Sequence, residues 1–207
     1  MDVIDAIKKR RSIRRFKPDP VPDEIIKKIL EAGRLAPSWG NVQPWRFIVV
    51  KNSETKSKIA KFVRQRQVER APVVIVCCAD LRAWNEFAKR IEELNPGRPE
   101  VVEKTASDPW LNPTLISKEM VLKRSVEQIP YAIENMVLAA VNEGLGSCIV
   151  GGRLLLPELE KLLKIPDHVV IANLLTLGYP DEDPEPRPRI ELEDLVFEEE
   201  WGKKWNV

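Results

Sequence analysis

Seven of the ten residues from Lys8 to Lys17 are basic, and Ser12 stands in their midst between Arg11 and Arg14. Guanidinium forks arranged around a hydroxyl are a donor set suited to a phosphate monoester. Two other uses of the block compete with that one. It could be the solvated C-terminal end of a helix, where cations meet the negative end of the dipole. It could also be an arm that neutralises nucleic-acid phosphates. The balance of 33 Lys and Arg against 32 Asp and Glu weighs against the arm, because nucleic-acid-binding modules carry a net basic surface.

A second group is Ala36-Pro37-Ser38-Trp39-Gly40-Asn41-Val42-Gln43-Pro44-Trp45. Ser, Asn, Gly and Pro are ordinary turn residues, yet the hydroxyl and two amides here could also read the polar edge of a heterocycle beside two indoles. A third is Gly144-Leu145-Gly146-Ser147, leading to Gly151-Gly152. It matches neither common phosphate loop. Its glycines would let a backbone approach a flat ligand closely, or would cap a helix and start a bulge.

What is missing is as informative. The three cysteines are Cys77, Cys78 and Cys148, without C-x-x-C spacing, so neither a disulfide scaffold nor a metal site is expected. The single histidine, His168, has no triad-like partner nearby. With so few groups for acid–base or nucleophilic work, the chemistry points to a bound cofactor. The longest apolar run, Val73 to Ala79, is far shorter than the ~20 residues that span a bilayer. The N-terminus shows no apolar stretch of the signal-peptide kind. A cytoplasmic, reducing location is therefore expected.

The elements that must position these groups can be read from pattern. Val3, Ile4 and Ile7 share one face of a first helix, with Asp2 as N-cap. Pro22-Asp23-Glu24 opens a second, with Ile25, Ile26, Ile29 and Leu30 as its apolar stripe. Trp45 to Lys51 reads as a strand, Ser53 to about Gln67 as a helix, and Val73 to Ala79 as a fully buried strand. Residues 81–128 read as an irregular insertion with one amphipathic stretch, Trp84 to Ile91, and two exposed tryptophans, Trp84 and Trp110. Pro130 starts a strongly apolar helix that Gly144 caps; Pro157 to Lys164 is a short helix and Val169 to Tyr179 a strand. The polar, Pro- and Glu-rich tail from Pro180 cannot fold alone. The pattern is α+β, a central sheet covered by helices on both sides.

In order, Arg10-Arg11-Ser12-Ile13-Arg14, Ala36-Pro37-Ser38-x-x-Asn41-x-Gln43-Pro44-Trp45, Gly144-Leu145-Gly146-Ser147 with Gly151-Gly152, Leu177-Gly178-Tyr179-Pro180 and Arg187-x-Arg189 resemble the FMN-dependent nitroreductase family over residues 2–190. The resemblance implies a single nitroreductase-like α+β domain, residues 1–207, with a central mixed or mostly antiparallel sheet, assembled as an intertwined homodimer with FMN at the interface. It implies that Arg10, Arg11 and Ser12 hold the FMN phosphate, joined by Arg187 and Arg189, while Arg14 reaches the ribityl chain or a pyrimidine carbonyl. Pro37, Ser38 and Asn41, with Gln43 beside them, would approach from the partner subunit. Gly151 and Gly152 would offer backbone N–H groups near flavin N5 and O4, and Gln65 or Gln67 would serve the pyrimidine edge.

On this basis NAD(P)H is the co-substrate, and the acceptor is a nitroaromatic, a quinone or a flavin-like compound, served by ping-pong turnover at flavin N5. No catalytic side chain, metal, membrane or nucleic acid is involved. Residues 81–128 would form a lid or substrate side, with Trp39, Trp84, Phe87 and Trp110 as candidate stacking groups, or the aromatics of the insertion would simply pin it to the core. Residues 180–207 would be an arm laid across the partner. Two alternatives from other classes are a non-catalytic FMN carrier and a nucleic-acid module using residues 8–17.

Overall fold

Residues 1–151 and 157–205 are described by a computed structural model. Four strands, β1 (Trp45–Val50), β2 (Val73–Asp80), β3 (Gly146–Val150) and β4 (Val169–Gly178), form one sheet in the order β1-β2-β4-β3. All three pairings are antiparallel. Every residue of β2 is buried, as its unbroken apolar run requires of a strand covered on both faces. Val73, Ile75, Cys77 and Ala79 point into one core, and Val74, Val76 and Cys78 into the other. The pairing of β2 with β4 shifts between Cys77 and Cys78, leaving Ala172 without a partner between Ile171 and Asn173.

The first core is closed by α2 (Asp23–Arg34) and α8 (Ile129–Asn142). In α8, Ala132, Ile133, Met136, Val137 and Ala140 are all buried, so this strongly apolar helix lies centrally against the sheet. The second core is closed by α3 (Ser53–Val63), α4 (Arg66–Arg70) and α9 (Pro157–Leu163). The single helix expected over 53–67 is two, because Arg64 adopts a left-handed conformation (φ 56°) and ends the first. Lys56, buried in α3, donates through Nζ to the carbonyls of Ala71 (2.6 Å) and Pro72 (3.1 Å), tying the second helix's exit to β2.

The excursion over 81–128 is more regular than its prolines suggest. A 3-10 turn (Leu81–Glu86) leads to α5 (Phe87–Leu94), α6 (Pro99–Ser107) and α7 (Lys118–Val126). It has a small core of its own, in which Trp84 and Phe87 pack with Val42, Ala83 and Ile91. Trp84 is thus interior, at 2% exposure, and its indole N–H donates to Ser125 Oγ (3.0 Å) on α7; only Trp110, at 83%, is the exposed tryptophan the sequence suggested.

The N-terminal segment completes the sheet's far edge. After α1 (Val3–Lys9), whose N-cap Asp2 accepts from Asp5 N–H, Ser12 forms a parallel bridge with Ser147. Ile13 N–H donates to Ser147 O (2.8 Å), and Lys17 N–H to Tyr179 O (2.9 Å). The sequence of 144–152, which suits either a close approach to a flat ligand or a cap and bulge, carries no sign of this edge or of β3. Gly146 makes the approach possible, since a Cβ there would lie 2.6–2.9 Å from three atoms of the Ile13 side chain. Gly146→Ala is expected to destabilise the fold by about 1–3 kcal/mol, the usual range for overpacking, in a chemical denaturation experiment. An unchanged midpoint would mean that Ile13 yields without strain.

Candidate functional site

The C-terminal end of α1 and the tail residues 184–189 face each other across a cleft of about 360 Å³. Arg10, Arg11, Ser12, Arg14, Arg187 and Arg189 all line it, so the six residues expected from opposite ends of the chain meet. Arg10 Nε is buried with no hydrogen-bond partner, and Glu134 on α8 stands 3.7 Å away, too far for a hydrogen bond. Arg11 is a staple. It donates to the carbonyls of Lys8 (2.6 Å), Arg10 (2.9 Å) and Pro184 (3.1 Å), joining the helix end to the returning tail.

A residue the sequence reading passed over secures that return. Glu182 accepts from the backbone N–H groups of Arg14 and Arg15, and from Arg15 Nε (3.2 Å). Asp181 N–H donates in turn to Arg15 O (3.0 Å). Burial pushes the Glu182 carboxyl up, but the two N–H donors and the Arg15 charge outweigh it and hold its pKa below the ordinary carboxylate value. No motif marks it; it is one acid among many in an acidic tail.

The polar loop is built separately. Gly40, Asn41 and Gln43 all have positive φ (52°, 55° and 51°). At Gly40 a Cβ would lie 2.5 Å from Phe87 Cε2, so Phe87, 2% exposed, serves as the floor under this loop. Gln43 N–H donates to Ser38 Oγ (3.0 Å), and its side-chain amide donates to Asn41 O and Oδ1 (3.2 and 3.0 Å). Gln128, also missed in the sequence, is buried just before α8 and accepts from Trp39 N–H (2.7 Å). Pro37, Ser38 and Trp39 line a different cleft from the cationic one, with no residue in common.

Of the remaining candidates, Gly151 ends β3 on the surface, and a Cβ on it would lie 3.3 Å from Asn173 Nδ2, a further amide beside the position. Gly152 lies outside the described residues. Gln67, buried in the first turn of α4, donates to Oε1 of Gln65 (2.7 Å) at that helix's N-cap. Among the aromatics only Trp39 lines a cleft with the loop. Trp84 and Phe87 take the pinning role instead of facing a ligand, because the small core of the excursion needs their bulk; Trp110 projects into solvent.

The adjacent cysteines of β2 are buried thiols. Burial, reinforced by the neighbouring Cys78, raises the Cys77 pKa, and burial pushes Cys78 up to about 12. Neither is a thiolate at neutral pH. His168 sits at the edge of β4 in another cleft, with Arg82 and Asp167. No cluster of three or more metal-ligating side chains occurs among the described residues, and none of the described helices is long and apolar enough to cross a membrane.

A model of the nitroreductase family matches residues 7–90 and 118–179, and the unmatched stretch between them lies wholly inside the excursion. A NADH dehydrogenase of Thermus thermophilus is 35% identical over 203 residues, covering 95% of this chain and 96% of that one. The crystal structure of a nitroreductase family protein from Streptococcus pneumoniae superposes with a TM-score of 0.80 at 26% identity, over 95% of this chain and all of that one. The NADPH:FMN oxidoreductase of Vibrio harveyi, solved in complex with NAD+, gives 0.75 at 28% identity, over 97% of this chain and 78% of the other.

Glu182→Ala is expected to free the tail and speed tryptic cleavage after Arg189 several-fold, with little change in the global unfolding midpoint. Because folding depresses the Glu182 pKa, the strap's contribution is fully present above the ordinary carboxylate value of 4.5 and is lost as pH falls through the lower folded value. Cleavage by an acid-active protease should accelerate there in the wild type and be pH-insensitive in the variant.

Proposed function

The chain belongs to the nitroreductase family, and from that premise we propose that it works as a homodimeric FMN-dependent NAD(P)H oxidoreductase with ping-pong delivery to a small aromatic acceptor, a nitroaromatic, quinone or flavin-like compound. The convergence of five arginines and Ser12 on one cleft carries the reading. Like charges gathered this closely call for an anion, and the buried, unpartnered Arg10 Nε is the kind of donor a phosphate oxygen satisfies. FMN fits this set through its phosphate, and when bound it supplies hydride exchange at the ring N5.

The residues then divide the work. Arg10, Arg11, Ser12, Arg187 and Arg189 bind and orient the phosphate end. Arg14 lines the same cleft and would reach the ribityl or pyrimidine portion. Gly151 and Asn173 offer donors where β3 ends, and Gly152 is the next backbone N–H in the chain. Pro37, Ser38, Asn41 and Gln43 would come from the second copy, a reading supported by their separation from the cationic cleft within one chain.

Exposed apolar surface supports the dimer. The stripe of α1 faces outward, with Val3 at 66%, Ile4 at 57% and Ile7 at 48% exposure, and Tyr131 on α8 and Ile149 on β3 are exposed as well. The tail carries Ile190, Leu192, Leu195 and Trp201 uncovered, as an arm across a partner would.

Two experiments test this. The purified protein should be yellow, or take up added FMN, and should bleach anaerobically with NADPH or NADH. A bound flavin that neither donor reduces would favour a carrier, and a colourless protein that takes up no FMN would refute the assignment. Val3→Glu combined with Ile4→Glu, both outside the cationic cleft, is expected to give monomers in sedimentation and to lose flavin in parallel; monomers that keep one FMN per chain would sink the two-chain site.

A further inference from the structure

We propose that the cleft beside Trp39 seats the electron acceptor, and that Arg124 makes it selective for planar aromatic acceptors bearing an anionic substituent. This rests on the flavin reading above. The cleft, about 420 Å³, is bounded at one end by Pro37 and Ser38 and elsewhere by Trp39, Arg124, Gln128 and Tyr131, with Glu127 also lining it. Pro37 and Ser38 belong to the loop assigned to the flavin, so an occupant would lie next to the ring. The volume is at the low end for small-molecule sites, the scale of a one- or two-ring compound and not of a dinucleotide.

The walls of this cleft are held in place. Trp39 N–H donates to Gln128 Oε1 (2.7 Å), and its indole N–H donates to Leu111 O (3.0 Å). The same Gln128 donates through Nε2 to Arg124 O (2.6 Å), so one buried amide fixes both the tryptophan and the arginine. The Arg124 guanidinium carbon lies over the Trp39 ring, 4.9 Å from its centroid, a cation–π distance. Its one side-chain hydrogen bond among the described residues is a 3.5 Å contact to Glu127. That carboxylate also has Lys123 Nζ at 3.8 Å, so it is shared between two cations and neutralises Arg124 only in part.

An aromatic acceptor can therefore pack in this cleft while its carboxylate takes the Arg124 N–H donors that the protein leaves unpaired. Glu127 opposes this attraction in part and would restrict it to anions that reach Arg124 directly.

The test uses the full chain loaded with FMN and two nearly isosteric acceptors, 4-nitrobenzoate and the neutral 4-nitrobenzamide. Wild type is expected to prefer nitrobenzoate in kcat/KM. Arg124→Leu should lower kcat/KM for nitrobenzoate by about tenfold, mostly through KM, the scale of one charge-assisted contact, and alter nitrobenzamide by less than about twofold. Glu127→Gln should raise the preference. Benzoate, which the enzyme cannot reduce, should perturb the visible spectrum of the bound flavin, and Arg124→Leu should weaken that titration while leaving flavin affinity and anaerobic bleaching unchanged. Equal losses for both acceptors, no wild-type preference, or loss of FMN from Arg124→Leu would overturn the acceptor assignment. A wild-type chain that takes up no flavin would overturn the underlying reading as well.

Discussion

Five arginine side chains around one cleft repel one another, and the structure must hold them together against that repulsion. Two unit charges 4 Å apart interact by roughly 1 kcal/mol in water and by more where solvent is partly excluded. The chain answers with oxygens. Arg11 is spent on three carbonyls, Arg189 on the carbonyls of Arg187 and Pro188, and Glu182 brings the one carboxylate that clasps the Arg14–Arg15 backbone. These contacts set positions without neutralising the cluster. What remains is a strongly cationic cleft, with a buried Nε at Arg10 that no hydrogen-bond acceptor satisfies.

That cleft exists because the far edge of the sheet is used. β3 pairs with β4 on one side and receives Ser12 and Ile13 on the other, and the chain leaving β4 runs back along Phe16 and Lys17. The start and end of the chain are thus threaded beside the same strand. Gly146 sets how closely they can approach, and Glu182 sets where the tail leaves. The fully buried β2 and the apolar α8 supply the rigid body against which this threading happens, each buried Val, Ile or Leu contributing roughly 1.5–3 kcal/mol. The excursion plays a matching part on the other side, where Phe87 and Gln128 shape the Ser38–Gln43 loop from below and from the side.

Much of this was legible in the sequence because the relevant signals are local. The apolar run of β2, the N-cap of α1, the Pro22 opening of α2 and the Gly144 cap of α8 each follow from a few neighbouring residues. The arginines and Ser12 were legible by type and, with the tail pair, by family resemblance. What was not legible depends on distant partners. β3 is five residues long and begins at a glycine, too short to show a period. Glu182 gains its role only from two N–H groups 167 and 168 residues away. Trp84 looked exposed because its neighbours are polar, yet Ser125 on α7 takes its indole N–H and the excursion closes over it.

The loop from Ser38 to Gln43 argues that this architecture serves a ligand and is not merely a connection. Left-handed conformations at non-glycine residues cost on the order of 1 kcal/mol each, and here Asn41 and Gln43 both adopt them, beside Gly40. A connection from α2 to β1 could be made by an ordinary turn. Instead Ser38, Asn41 and Gln43 bond to one another, a buried glutamine from 89 residues away holds the backbone at Trp39, and an aromatic floor excludes any side chain at Gly40. Contacts from three separate elements fix a strained backbone whose Pro37, Ser38 and Trp39 open onto a cleft. Strain held in this way is what preorganisation of polar groups requires, and it separates this loop from the turn that its composition alone would describe.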